Sequence, residues 1–305
     1  MKIIDVGSGV PVVLIPGVQG RWEWMRPAVD ALAARCRVIT FSLADEPTAE
    51  AACDPADVFS SYVQQVAEAL HARNLERAVM CGISYGGLVA AGFAARHPAR
   101  TSALVLASAL PPSWRPDRRA LFYLRAPRLL LPVFFVASLR LYREFVAASG
   151  GVFRAAPVAT RHVVNVLTHP FSPRLMARRV QALPGGLERE LSSITVPTLV
   201  VTGEAGLDRV VPVELTRRYH RIWPHAERAV LERTGHLGPV TRPDAFAHIV
   251  YAFAARACRH EHSPLPDAYA PAITNPQSPI NNESPINDQQ SAIARVTPAP
   301  GRRVG

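Results

Sequence analysis

The chain has 305 residues, 49% of them hydrophobic, with a formal net charge of +10 and a pI near 10.2. That is enough apolar sequence to bury the core of one α/β domain with an insertion, and no run approaches the roughly 20 apolar residues needed to cross a bilayer. The charge is nearly all arginine, Lys2 being the only lysine, and neither zinc-finger spacing nor a basic block interleaved with aromatics occurs, which argues against a nucleic-acid binder.

The N-terminus lacks an apolar signal core, and Cys36, Cys53, Cys81 and Cys258 show no disulfide or CxxC spacing, so a cytoplasmic protein with reduced thiols is expected. Pro11-Val12-Val13-Leu14-Ile15 reads as a strand buried on both faces, ending in the glycine-bearing turn Pro16-Gly17-Val18-Gln19-Gly20. Trp22, Met25, Val29 and Leu32 recur at helical spacing, and residues 37–41 form the next strand. A loop over 44–55 leads to a helix capped by Asp54-Pro55 and running to about Arg73. Ala78-Val79-Met80 is a short buried strand, followed by Cys81-Gly82-Ile83-Ser84-Tyr85-Gly86-Gly87 and a helix of small residues ending near His97. Residues 103–107 are another buried strand. This alternation predicts a mostly parallel, doubly wound α/β sheet.

From Ser113 to Leu191 the alternation stops, and the segment is arginine-rich, proline-punctuated and helical in pattern. Its centre, residues 129–137, is apolar nearly all round. It reads as a buried cap helix, or as an apolar wall over a cleft or a surface that meets lipid. The sheet resumes with a strand over 196–203, a loop carrying Glu204 and Asp208, a helix with Leu215, Tyr219 and Ile222, a strand over 228–231, a loop carrying His236, and a helix from Pro243 to about Ala257. Core over 1–112 and 192–258, helical cap over 113–191 and a disordered tail over 259–305 are therefore expected, the tail being rich in Asn, Gln, Ser and Pro. Cys258-x-His260-x-His262 at its start lacks a fourth ligand and a rigid frame, and no metal is expected there.

Serine between two glycines at a strand-to-helix junction is a nucleophile elbow. The turn has no room for side chains at Gly82 and Gly86, exposes the Ser84 hydroxyl, and aims the Tyr85 N–H at the atom Ser84 attacks. A hydroxyl needs a base, and His236, in a glycine-flanked loop after the last strand, is the best candidate. Asp208, in the loop after the preceding strand, is preferred over Glu204 as the acid that orients the imidazole. The Val18 N–H, in the turn after the first long strand, is the candidate second oxyanion donor.

With Val12-Val13-Leu14-Ile15-Pro16-Gly17, Gly82-Ile83-Ser84-Tyr85-Gly86-Gly87, Asp208-Arg209-Val210-Val211-Pro212 and Gly235-His236 in this order, the chain resembles an α/β-hydrolase fold protein with a helical cap. The resemblance implies an oxyanion turn, nucleophile, acid and base at the matching positions. It also implies an esterase, lipase, lactonase, thioesterase or related acyl hydrolase without metal or organic cofactor. Two departures stand out: Pro16-Gly17 replaces the usual His-Gly, and the short N-terminus leaves room for one outer antiparallel strand rather than two. The primary expectation is a carboxylic-ester hydrolase for a small to medium apolar substrate. The alternatives are a hydrolase of carrier-protein or coenzyme-A (thio)esters, an acidic carrier docking on the cap arginines, and a small-molecule receptor that signals by cap movement.

Overall fold

Interior strands of a parallel sheet are buried on both faces, so their apolar runs feed two helical layers in alternation. In the computed structural model, which describes residues 1–260 and of residues 119, 134, 135, 137 and 260 the backbone alone, seven strands form one sheet. They are β1 (Ile4–Val6), β2 (Pro11–Ile15), β3 (Arg37–Thr40), β4 (Ala78–Ile83), β5 (Thr101–Ala107), β6 (Thr198–Thr202) and β7 (Glu227–Val230). Their order is β1-β3-β2-β4-β5-β6-β7; only β1 runs antiparallel, against β3, tied there by the paired bonds of Arg37 to Asp5 at 3.0 and 2.8 Å. The order reverses between β2 and β4. In an open α/β sheet the cleft opens at the carboxyl ends of the two strands flanking such a reversal.

Val13, Ile15, Met80, Leu104 and Val200 pack on one side against α2 (Val58–Ala72) and α3 (Tyr85–Arg96). Val12, Leu14, Val79, Val105 and Val201 pack on the other against α1 (Arg26–Ala33) and a long helix, Pro243–His260. Each large aliphatic side chain buried this way contributes about 1.5–3 kcal/mol.

Between β5 and β6 the chain is helical: α4 (Arg118–Arg125), α5 (Leu131–Ser138), α6 (Tyr142–Ser149), α7 (Val152–Thr168), α8 (Pro173–Gln181) and α9 (Leu187–Leu191). After β6 come α10 (Val213–Ile222), β7, α11 (Gly238–Thr241) and α12, the Pro243–His260 helix.

Three expectations are corrected. The α2 cap is Asp57, whose carboxylate accepts the Ser60 N–H at 3.0 Å; Asp54 is occupied by the Ala56 N–H in the preceding turn. The segment around α5 is not a buried helix, since Leu129, Val136 and Leu139 are exposed. The loop carrying His236 gives way at Gly238 to α11. The predicted tail and the full Cys258-x-His260-x-His262 spacing extend outside the described residues. Among the described residues no helix is long and apolar enough to cross a membrane.

Candidate active site

The turn from β4 into α3 is closed by backbone contacts that only glycine permits. A Cβ on Gly82 would lie 2.2 Å from the Gly86 carbonyl oxygen, and one on Gly86 would lie 2.4 Å from the carbonyl oxygens of Ile15 and Pro16. Ser84 sits in the turn at φ 54° and ψ −119°, a backbone strained for a residue with a side chain. Bonds from the Ser84 N–H to the Ala107 carbonyl (2.9 Å) and from the Gly87 N–H to the Ser84 carbonyl (3.0 Å) hold it there. Tyr85 is the first residue of α3, so its N–H has no carbonyl one turn earlier in the helix to bond and lies at the positive end of the helix dipole.

The turn after β2 lies beside Ser84: a Cβ on Gly17 would come within 3.6 Å of the Ser84 Cβ. Val18 belongs to this turn, which the bond from the Gly20 N–H to the Gly17 carbonyl closes at 2.9 Å. The Val18 carbonyl is in turn held by Arg179 of α8 at 2.8 Å.

Arg179 is fully buried. Its guanidinium meets the carboxylates of Asp45 and Glu46, each at 2.6 Å. Burial works against the Arg179 charge, but Asp45 and Glu46 outweigh it and the group is held above its ordinary range; burial also raises Glu46. A Cβ on Gly20, which has φ +78°, would strike this guanidinium at 2.3 Å.

Asp208 and His236 follow the neighbouring parallel strands β6 and β7, which brings their loops to the same carboxyl edge of the sheet as Ser84. Asp208 Oδ1 accepts the Val210 and Val211 N–H groups at 2.9 and 2.8 Å, and Oδ2 lies 3.5 Å from His236 Nδ1. That is an ion-pair distance, longer than a good hydrogen bond. It leaves Nε2 as the ring nitrogen not facing the carboxylate. No hydrogen bond joins His236 to Ser84. Glu204 instead accepts the Arg233 N–H at 2.6 Å, which turns its carboxylate toward the loop backbone.

Sequence reasoning missed two buried charges. Glu144, on α6, accepts the N–H groups of Gly235 and Leu237 at 3.1 and 2.7 Å, so one carboxylate oxygen grips the backbone on both sides of His236. Burial raises its carboxyl above the ordinary value, against the lowering effect of the Leu237 N–H bond and His236. A signal existed: Glu144 is the only acid between Asp117 and Glu188. Arg179 carried no such signal, being one of many arginines in its segment. Among the described residues no group of histidine, cysteine and carboxylate side chains has a metal-binding arrangement.

A switch point between parallel strands with a strained serine heading the central helix, and acid and imidazole loops on the same sheet edge, defines the α/β-hydrolase class of folds. Residues 12–249 match the alpha/beta hydrolase family, and the chain belongs to it. It is 26% identical over 243 residues to "Putative carbamate hydrolase RutD" of Yersinia enterocolitica, covering 79% of this chain and 86% of that protein. The crystal structure of an enol-lactonase from Burkholderia xenovorans LB400 superposes with a TM-score of 0.66 at 20% identity, covering 83% of this chain and 96% of the other. A thermophilic esterase from Thermogutta terrifontis gives a TM-score of 0.66 at 22% identity, covering 84% and 93%. At such identities the structural likeness speaks for the fold.

Proposed function

We propose that the protein is a serine hydrolase that cleaves a carboxylic ester or related acyl bond of a small to medium apolar substrate. The observation that carries this reading is the strained Ser84 at the head of α3, on the sheet edge where His236 faces Asp208. His236 Nε2 takes the Ser84 proton as Oγ attacks the acyl carbon. The Val18 and Tyr85 N–H groups hold the tetrahedral oxyanion. The imidazolium, stabilised by Asp208, then protonates the departing alcohol and leaves an acyl-Ser84 ester. A water deprotonated by His236 hydrolyses that ester and restores the hydroxyl. Relatives named for carbamate, lactone and ester chemistry support an acyl bond as the target without choosing among these.

The test is a panel of p-nitrophenyl esters of rising acyl length, with Ser84→Ala as control. Turnover by the wild type that falls at least ~10³-fold in the variant is expected. Equal inertness, or equal activity, of the two proteins across the panel overturns the reading.

A further inference from the structure

The outer face of the helical segment has a composition that catalysis does not use. On α7 the inner side is committed: Ala155 is buried, Asn165 bonds the Glu23 carbonyl at 2.7 Å, and the His162 ring meets Trp24 edge-on at 6.1 Å. The opposite side carries Phe153, Val164 and Leu167, spaced by three and four helical turns in one stripe; Phe153 is 94% exposed and Leu167 69%. Phe122 on α4 and Leu129 and Val136 around α5 are exposed apolar side chains elsewhere in the helical segment. Apolar side chains gathered in one stripe mark an interaction surface, which singly scattered ones do not.

The exposed charge of residues 118–168 has a single sign outside Glu144. Arg125, Arg128, Arg140, Arg143, Arg154 and Arg161 are all exposed, and none forms an ion pair with a described residue. The only acid in residues 118–168 is Glu144, which is buried and bonded inward. Arg154 and Arg161, two turns apart, run along one side of the Phe153 stripe.

We propose that this face docks on an anionic lipid bilayer, with α7 lying along the interface. A membrane surface supplies both complements together: phosphate oxygens for the guanidinium groups and the acyl boundary for Phe153, Val164 and Leu167. A second copy would set arginine against arginine, which costs binding energy. A folded acidic partner anchors in packed pockets, whereas Phe153, Val164 and Leu167 project from a single helix, which a fluid interface accepts without shape matching. With no described helix able to span a bilayer, attachment is peripheral. This inference goes beyond the hydrolase reading and does not depend on it.

The full chain is sedimented with phosphatidylcholine vesicles, with and without phosphatidylglycerol, at low and high salt. At least tenfold stronger binding to the anionic vesicles, weakened by salt, is expected. Arg154→Gln with Arg161→Gln lowers that binding about 25-fold, at roughly fivefold per arginine near an anionic surface. Phe153→Ser with Leu167→Ser lowers it on the same vesicles, and thermal melts show that both variants fold. Absence of binding, equal binding to neutral vesicles, or double variants that bind like the wild type overturns the proposal. So does a dimer that Phe153→Ser dissociates, or binding to polyglutamate in place of vesicles.

Discussion

The carboxylate of Glu144 and the N–H of Leu237 meet at 2.7 Å, which ties α6 to the loop that carries His236. Glu144 touches no reacting atom in the proposed chemistry; it acts as a positioning residue, through the backbone on either side of the imidazole. Glu144→Ala leaves the Gly235 and Leu237 N–H groups buried without that acceptor, at about 1–3 kcal/mol each. The expected outcome is a kcat lowered about tenfold with little change in KM, and recovery in Glu144→Gln, whose amide oxygen still accepts. Steady-state kinetics at a temperature where every variant is folded checks it; a parallel loss in KM alone refutes the positioning role.

The same residue gives the stability a pH dependence. Because burial raises the Glu144 carboxyl, the folded protein keeps a proton that the unfolded chain has released. Between the ordinary glutamate value and the raised one, this group's contribution therefore favours folding at the lower pH and is lost as pH rises. Urea unfolding of the wild type against Glu144→Gln, repeated from mildly acidic to neutral pH, should show the wild type losing stability relative to the variant. A difference that is constant or grows the other way rejects the assignment.

Arg179 is paired with Asp45 and Glu46 inside the protein, so truncation strands two buried carboxylates. Arg179→Met is expected to cost about 3–5 kcal/mol, a loss typical of a broken buried ion pair. Arg179→Lys keeps the charge but not the planar fork, so the Val18 carbonyl loses its partner and activity falls more than stability does. Denaturant midpoints read beside kcat/KM separate the two effects.

Gly86→Ala should damage the site from a distance of one turn. Its methyl group would need the space now held by the Ile15 and Pro16 carbonyls, so the β2 turn and the β4–α3 turn must part. Displacing Ser84 from the Val18 turn by about 1 Å is expected to lower kcat/KM about 100-fold. Retained activity with an unchanged melting temperature contradicts the close packing of these turns.

The interior strands are legible in the sequence because burial on both faces makes them continuous apolar runs, as in Val12 to Ile15 and Ala103 to Ala107. Ser84, Asp208 and His236 are legible as candidates because each follows a strand toward the same edge of the sheet, and Gly82, Gly86 and Gly235 mark the tight turns around two of them. The helical segment reads less clearly. Its apolar centre gives the same pattern whether it faces a core or solvent, and burial depends on what the other helices cover. The Asp57 cap was missed because Asp54-Pro55 offers the same chemistry three residues earlier; only the path of the turn selects between them.

By itself, then, the sequence determined the alternating α/β order, the strained serine turn and the candidate residues for the same sheet edge, since all of these are written in local spacing and steric demand. Only the tertiary structure decided that Glu144 grips the backbone around His236, that Arg179 is sealed beneath the Val18 turn, and that Phe153 faces outward. Those outcomes depend on contacts between segments roughly 90 to 160 residues apart, or on the lack of a covering neighbour. Neither leaves a periodic mark along the chain.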